Sequence, residues 1–228
     1  TDDQTLSDKE DESARTIPGI HKNPVSTRLI VPAGREAHIT LAGVGVRAPS
    51  SVATYSALDI AKGASCHLVL ADGTQNSLVA LASNGSGIHN PEGAALTIDD
   101  SILNQDRSGN TVVPENGFVP ADITLANGTK IKKGDPLTVM DSENPGSLVV
   151  WCTAGISAAI GGRGDPSYGT GGEDGGAFTM NGGLVTARSS YNYEAGGYNC
   201  SAGIGGGGWG GNGTGLDDWI TINGGRLT

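Results

Sequence analysis

The chain has 228 residues, of which 36% are hydrophobic and 17% charged, and its formal net charge is −10. That is enough apolar material for one long domain or two short ones, and the acidic surplus argues against phosphate contacts, so no nucleic acid is expected as a partner. No run approaches the ~20 apolar residues of a membrane-spanning helix. The three cysteines, Cys66, Cys152 and Cys200, lack metal-ligand spacing, which excludes a dense disulfide framework and a CxxC zinc site. Of the 38 glycines, 24 lie between Gly155 and Gly225, without the Gly-X-Y period of collagen.

Residues 1–26 read as an acidic flexible leader. Their first fifteen residues hold six acids and two bases, a solvated composition. From residue 27 a repeat begins. One set of short segments is anchored by Leu58, Ile88, Ile160 and Ile204, with TRLIV at 27–31 as a looser first member. A second set reads Ile39-Thr40-Leu41, Leu68-Val69-Leu70, Leu96-Thr97-Ile98, Phe178-Thr179-Met180 and Ile220-Thr221-Ile222. A third reads VGVRA at 44–48, SLVAL at 77–81, SLVVW at 147–151, GLVTA at 183–187 and GRLT at 225–228.

Alternation puts the outer residues of each triplet on one face and the central residue on the other. Three short strands recurring in fixed order predict an all-β fold, a right-handed parallel β-helix of about five coils over 27–228 with loop insertions. A single coil cannot bury its own apolar face, whereas stacked coils share one core. The Asn-Gly-Gly corners at 181–183 and 223–225 call for positive φ and close backbone approach. Stacked asparagines there can bond from coil to coil. The central residues Thr40, Val69, Thr97, Thr179 and Thr221 predict an outward ladder rich in threonine, for which strand propensity is explanation enough.

Cys66 lies inside a strand pattern and reads as a buried thiol, while Cys152 and Cys200 could pair. Residues 102–146 interrupt the third coil as a β-rich insertion, with a hairpin around Asn127-Gly128. Three shorter loops follow at 163–175, 188–200 and 207–217. They carry Tyr168, Tyr191, Tyr193, Tyr198 and Trp209 among the acids Asp165, Glu173, Asp174, Glu194, Asp217 and Asp218. Exposed tyrosine and tryptophan rings offer flat faces for sugar rings together with a polar edge. Carboxylates can bind sugar hydroxyls or calcium, so Asp165, Asp174, Asp217 and Asp218 are the candidate calcium ligands, although no EF-hand spacing is present. Because the last strand pattern runs to Thr228, the chain is expected to continue into further domains of a longer protein.

The phrases SALDIAKGASCHLVLADGTQNSL, SGIHNPEGAALTI, SAAIGG and FTMNGGLVTA resemble the pectate-lyase-like right-handed β-helix group. More narrowly, they resemble the carbohydrate-binding β-helix domains of secreted or cell-surface proteins from Gram-positive bacteria. The resemblance implies an extracellular, non-catalytic module that attaches to polysaccharide or host glycan. It carries over no binding residue, because the shared phrases are structural.

Polysaccharide lyases and glycoside hydrolases use the same fold, so a fragment of a degrading enzyme is the alternative, and a structural stalk without ligand is another. Against an enzyme, the Asp-Asp pairs at 99–100 and 217–218 lack a following Gly-His-Gly. His38, His67 and His89 read as solvated strand residues without an obvious carboxylate partner. Two short motifs carry little weight. Arg163-Gly164-Asp165 is a three-residue match in a predicted loop, and the sequons at Asn84, Asn127, Asn199 and Asn212 matter only in a glycosylating source.

Overall fold

The computed structural model describes residues 3–4, 17–18, 25–100, 112, 115, 118–124, 130–135, 145–153, 156–165, 171–190, 202–208 and 219–228. Among them every regular element is a strand, and no helix is long and apolar enough to cross a membrane. Near the start, β1 (Asp3–Gln4) pairs antiparallel with β2 (Ile17–Pro18). Three parallel sheets then make the body.

The third sheet begins first in the chain and contains β3 (Val25–Ser26), β6 (Gly45–Ala48), β9 (Gln75–Ala80), β14 (Ser147–Cys152), β17 (Leu184–Ser189) and β20 (Arg226–Leu227). The first sheet contains β4 (Leu29–Val31), β7 (Leu58–Ile60), β10 (Ile88–His89), β15 (Ile160–Gly161) and β18 (Ile204–Gly205). The second contains β5 (Glu36–Leu41), β8 (Ser65–Leu70), β11 (Ala95–Asp100), β16 (Ala177–Met180) and β19 (Ile220–Ile222). From β4 onward the chain visits the sheets in rotation, and each new strand lies beside its predecessor in the same sheet. This all-β arrangement is compatible with a parallel β-helix. Because β3 pairs with β6, the expected leader already contributes a strand at its final residues.

One core serves all three sheets. Leu58, Ile88 and Ile160 from the first, Leu68, Ile98, Phe178 and Met180 from the second, and Leu78, Leu148, Val150 and Val185 from the third form a single buried cluster. Each large side chain so buried contributes ~1.5–3 kcal/mol. Cys66 belongs to this cluster, and burial pushes its thiol pKa up to about 12. The insertion keeps its own small cluster of Val112, Val119, Ile123 and Ile131. Its strands β12 (Ile123–Thr124) and β13 (Lys130–Ile131) pair antiparallel, as expected of a hairpin around Asn127-Gly128.

The corners behave as their chemistry requires. Gly183 and Gly225 adopt φ of 84° and 81°, and Asn223 Nδ2 donates to Asn181 Oδ1 at 2.7 Å. Asn76 holds an earlier corner, accepting from Val44 N and donating to the Ser147 carbonyl.

The register departs from the repeat alignment in the second and third sheets, and in the third two steps differ by one residue: Val185, not Leu184, sits opposite Leu148, and Val46 sits opposite Leu78, not Val79. Ile98, not Leu96, sits opposite Leu68, and Leu96 sits opposite Cys66. Leu78 likewise sits opposite Val150, not Leu148. A two-residue slip keeps every side chain on its face, so alternation cannot detect it. In the second sheet the register follows the stacked turns: Gly34, Gly63 and Gly93 all have positive φ, Gly34 N donates to Gly63 O, and Gly63 N donates to Gly93 O. The continuous threonine ladder is therefore broken. Thr97, Thr179 and Thr221 stack together, but below them the column continues through His67 and His38.

Candidate functional site

The second residue of each first-sheet strand points outward from the core. Along successive strands of the sheet this column runs Ile30, Asp59, His89, Gly161 and Gly205. His89 and Asp59 are therefore register neighbours, and His89 Nδ1–H donates to Asp59 Oδ1 at 2.8 Å. Gly161, next in the column, has no side chain, and the following loop folds back into that space. Its Glu173 accepts from His89 Nε2–H at 2.7 Å and from Arg163 N at 3.1 Å. Arg163 Nη2 reaches Asp59 Oδ2 at 2.7 Å, and Arg28 Nη2 binds the same oxygen at 2.7 Å. The Arg28 guanidinium also lies over the Tyr55 ring, 4.0 Å from its centroid.

The glycine-rich phrases make this closeness possible. A Cβ on Gly162 would lie 2.0 Å from the Glu173 carbonyl oxygen, and one on Gly207 would lie 2.0 Å from that of Arg163. Loop backbone thus packs on neighbouring-coil backbone, where Glu173 N donates to Arg163 O and Gly207 N to Glu173 O.

Electrostatically the cluster is self-consistent. Burial disfavours charge on His89, but the hydrogen bonds to Asp59 and Glu173 outweigh it and raise the imidazole pKa. Burial likewise works against charge on Asp59, yet the His89 hydrogen bond and the Arg163 charge bring its pKa down to about 2. Glu173 is also lowered: its burial is outweighed chiefly by the hydrogen bond to His89. With both ring nitrogens donating, His89 is an imidazolium held between two carboxylates.

The pH dependence follows from these directions. The raised His89 pKa contributes stability that is complete below its ordinary value of 6.5 and is lost as pH rises through the raised value. The lowered carboxylates contribute above their ordinary values of 3.8 and 4.5 and lose that contribution in acid. The network is whole only between those limits. Wild-type urea midpoints should therefore fall from mildly acidic to alkaline pH, and His89→Gln should flatten that fall. An unchanged slope in the variant would show that His89 does not carry it.

Glu173 divides two open clefts. One, of about 420 Å³, is lined by Lys62, His89, Pro91, Glu92, Glu173 and Asp174. The other, of about 270 Å³, is lined by Thr54, Asn84, Arg163, Asp165 and Glu173 among others. Comparison of the chain with known protein families, with curated proteins and with solved structures finds no match.

The expected site residues fare unevenly. Asp165 is buried and lines the smaller cleft, while Asp174 lines the larger, so Glu173 stands between them. Tyr168, Tyr191, Tyr193, Tyr198, Trp209, Asp217 and Asp218 lie outside the described residues, as does Cys200 of the suggested pair with Cys152. Among the described residues no group of three or more His, Cys, Asp or Glu side chains is placed to hold a metal.

The reading of the histidines changes. His89 is 6% exposed and bound by two carboxylates, not a solvated residue without partner. His67 and His38 also have acidic partners, Asp99 and Glu36. The Arg163-Gly164-Asp165 triplet is not displayed, because Arg163 is spent on Asp59 and Asp165 is 8% exposed. The sequon asparagine Asn84 is 5% exposed, at the edge of the smaller cleft.

Asp59 and His89 were within reach of the repeat alignment, since each directly follows its coil's anchor residue, Leu58 or Ile88. Arg163 and Glu173 were not: they meet the cluster across 104 and 84 residues of chain.

Proposed function

We propose that the chain is a right-handed parallel β-helix whose loop-bearing side is a non-catalytic carbohydrate-binding surface of a secreted or cell-surface bacterial protein. The observation that carries this reading is the open cleft over the His89 cluster, where Lys62, Glu92, Glu173 and Asp174 stand around a charge-paired floor. Such groups on a rigid scaffold suit the many hydroxyls of a glycan, and loops on rigid scaffolds commonly carry binding. Tyr168, Tyr191, Tyr193, Tyr198 and Trp209 are proposed as the stacking rings of the same side. Asp217 and Asp218, with Asp165 or Asp174, are proposed to serve hydroxyls or calcium.

A glycosidase needs one carboxyl held protonated beside a second. Asp59 and Glu173 are both driven toward the ionised form, and this supports binding over hydrolysis at this cluster.

Native affinity electrophoresis through gels containing plant polysaccharides or mucins, with calcium and with chelator, tests the reading. Retardation by at least one polymer is expected. Asp174→Ala should weaken it about tenfold, the equivalent of one lost hydrogen bond to a charged group at ~1.5 kcal/mol. Tyr193→Ala with Trp209→Ala should remove the rest. Unchanged mobility in every gel overturns the proposal, and a cleared zone around the band makes the protein an enzyme.

A further inference from the structure

A second cluster lies on the outward face of the second sheet, away from the clefts. His38 and His67 are register neighbours on parallel strands β5 and β8, with ring centroids 5.3 Å apart and planes at 61°. His67 Nε2 meets Asp99 Oδ2, and Asp99 comes from the next strand, β11, opposite Val69. His38 Nε2 meets Glu36 Oε1 at 3.1 Å. Three adjacent strands thus bring two imidazoles and two carboxylates onto one surface.

We propose that His38, His67 and Asp99 chelate a divalent transition-metal cation of the copper, nickel and zinc class. Two imidazoles sharing one ion through bonds of about 2.1 Å hold their centroids roughly 4.5 Å apart in tetragonal geometry and roughly 5 Å apart in tetrahedral geometry, near the spacing seen here. The chelate is half built. The Asp99 and His67 side chains are 3% and 18% exposed and already in contact, so little conformational freedom remains to be lost. His38 is 66% exposed and must turn from Glu36 toward them, which is why no three ligands converge before the ion arrives. On binding, the ion takes the place of the proton between His67 Nε2 and Asp99 Oδ2, and that proton passes to Nδ1 or to solvent. Two nitrogen donors favour copper over zinc and both over calcium or magnesium, which prefer oxygen ligands throughout.

The test is calorimetric titration of the full chain with Cu²⁺, Zn²⁺ and Ca²⁺ near neutral pH, with electron paramagnetic resonance of the Cu²⁺ form. One Cu²⁺ per chain is expected, bound more tightly than Zn²⁺, without competition from Ca²⁺ and with two nitrogen ligands. His38→Gln should weaken binding about tenfold or more and leave one nitrogen, and Asp99→Asn should weaken it by a comparable factor. Should the Asp99 variant fail to fold, His38→Gln still decides, because that ring is exposed. Absence of Cu²⁺ and Zn²⁺ binding, or unchanged affinity in His38→Gln, overturns the site.

Discussion

Asp59→Ala should lower the stability of the chain by about 3 kcal/mol in urea unfolding, the low end of what removing one partner from a buried ion pair costs. The side chain retains 16% exposure, which keeps the figure from the upper end. Its two oxygens accept from Arg28, Arg163 and His89, which link segments at four successive strands of the first sheet and the loop carrying Glu173. Truncation leaves two guanidinium groups and an imidazolium facing one another, 16–20% exposed in the arginines and 7% in the histidine. It should also abolish the raised His89 pKa, which a one-dimensional NMR titration reads directly. Glu92→Ala is the control. Its pair with Lys62 is 3.6 Å long with both side chains well exposed, so it should cost less than about 1 kcal/mol. Equal losses in the two variants would mean that the Asp59 hub does not hold the first-sheet strands together.

Gly161→Ala should be at least as damaging, about 3 kcal/mol or more. The new Cβ would lie 1.9 Å from the Gly205 carbonyl oxygen, at a φ of 134°. Overpacking against a movable side chain costs ~1–3 kcal/mol, but here the obstacle is the backbone of the next coil, which no rotamer change relieves. Gly63→Ala separates this clash from the conformational cost alone. Its φ is 78° and a Cβ there meets nothing within 4 Å, so the loss should be ~1–2 kcal/mol. Parallel urea melts of the two variants decide the matter. If Gly161→Ala costs no more than Gly63→Ala, the close stacking of these coils is not needed for stability. Because Gly161 follows His89 in the outward column, its variant should also displace Glu173 and enlarge the cleft.

The amino-acid sequence by itself determined the recurring strands, their order among three sheets and the inward faces of the first two, whereas in the third the repeat alignment put Leu184 where Val185 faces Leu148. Alternation of large apolar residues is local, and Leu58, Ile88, Ile160 and Ile204 stack as their pattern requires. It also determined the corners, because Asn-Gly-Gly chemistry allows few conformations and Asn181 and Asn223 bond as such corners should. Register in the second and third sheets was decided only in the tertiary structure. A two-residue slip preserves every hydrophobic face, and in the second sheet only the stacking of the Gly34, Gly63 and Gly93 turns separates Leu96 from Ile98 as the partner of Leu68. That slip brings Asp99 to His67 and breaks the threonine ladder. The His89 cluster likewise depends on loop closure: Arg163 and Glu173 become its partners because Gly161, Gly162 and Gly207 let neighbouring stretches of backbone rest on one another. Side-chain pattern is written along the chain, whereas charge pairing across strands requires the parallel sheets to be assembled first.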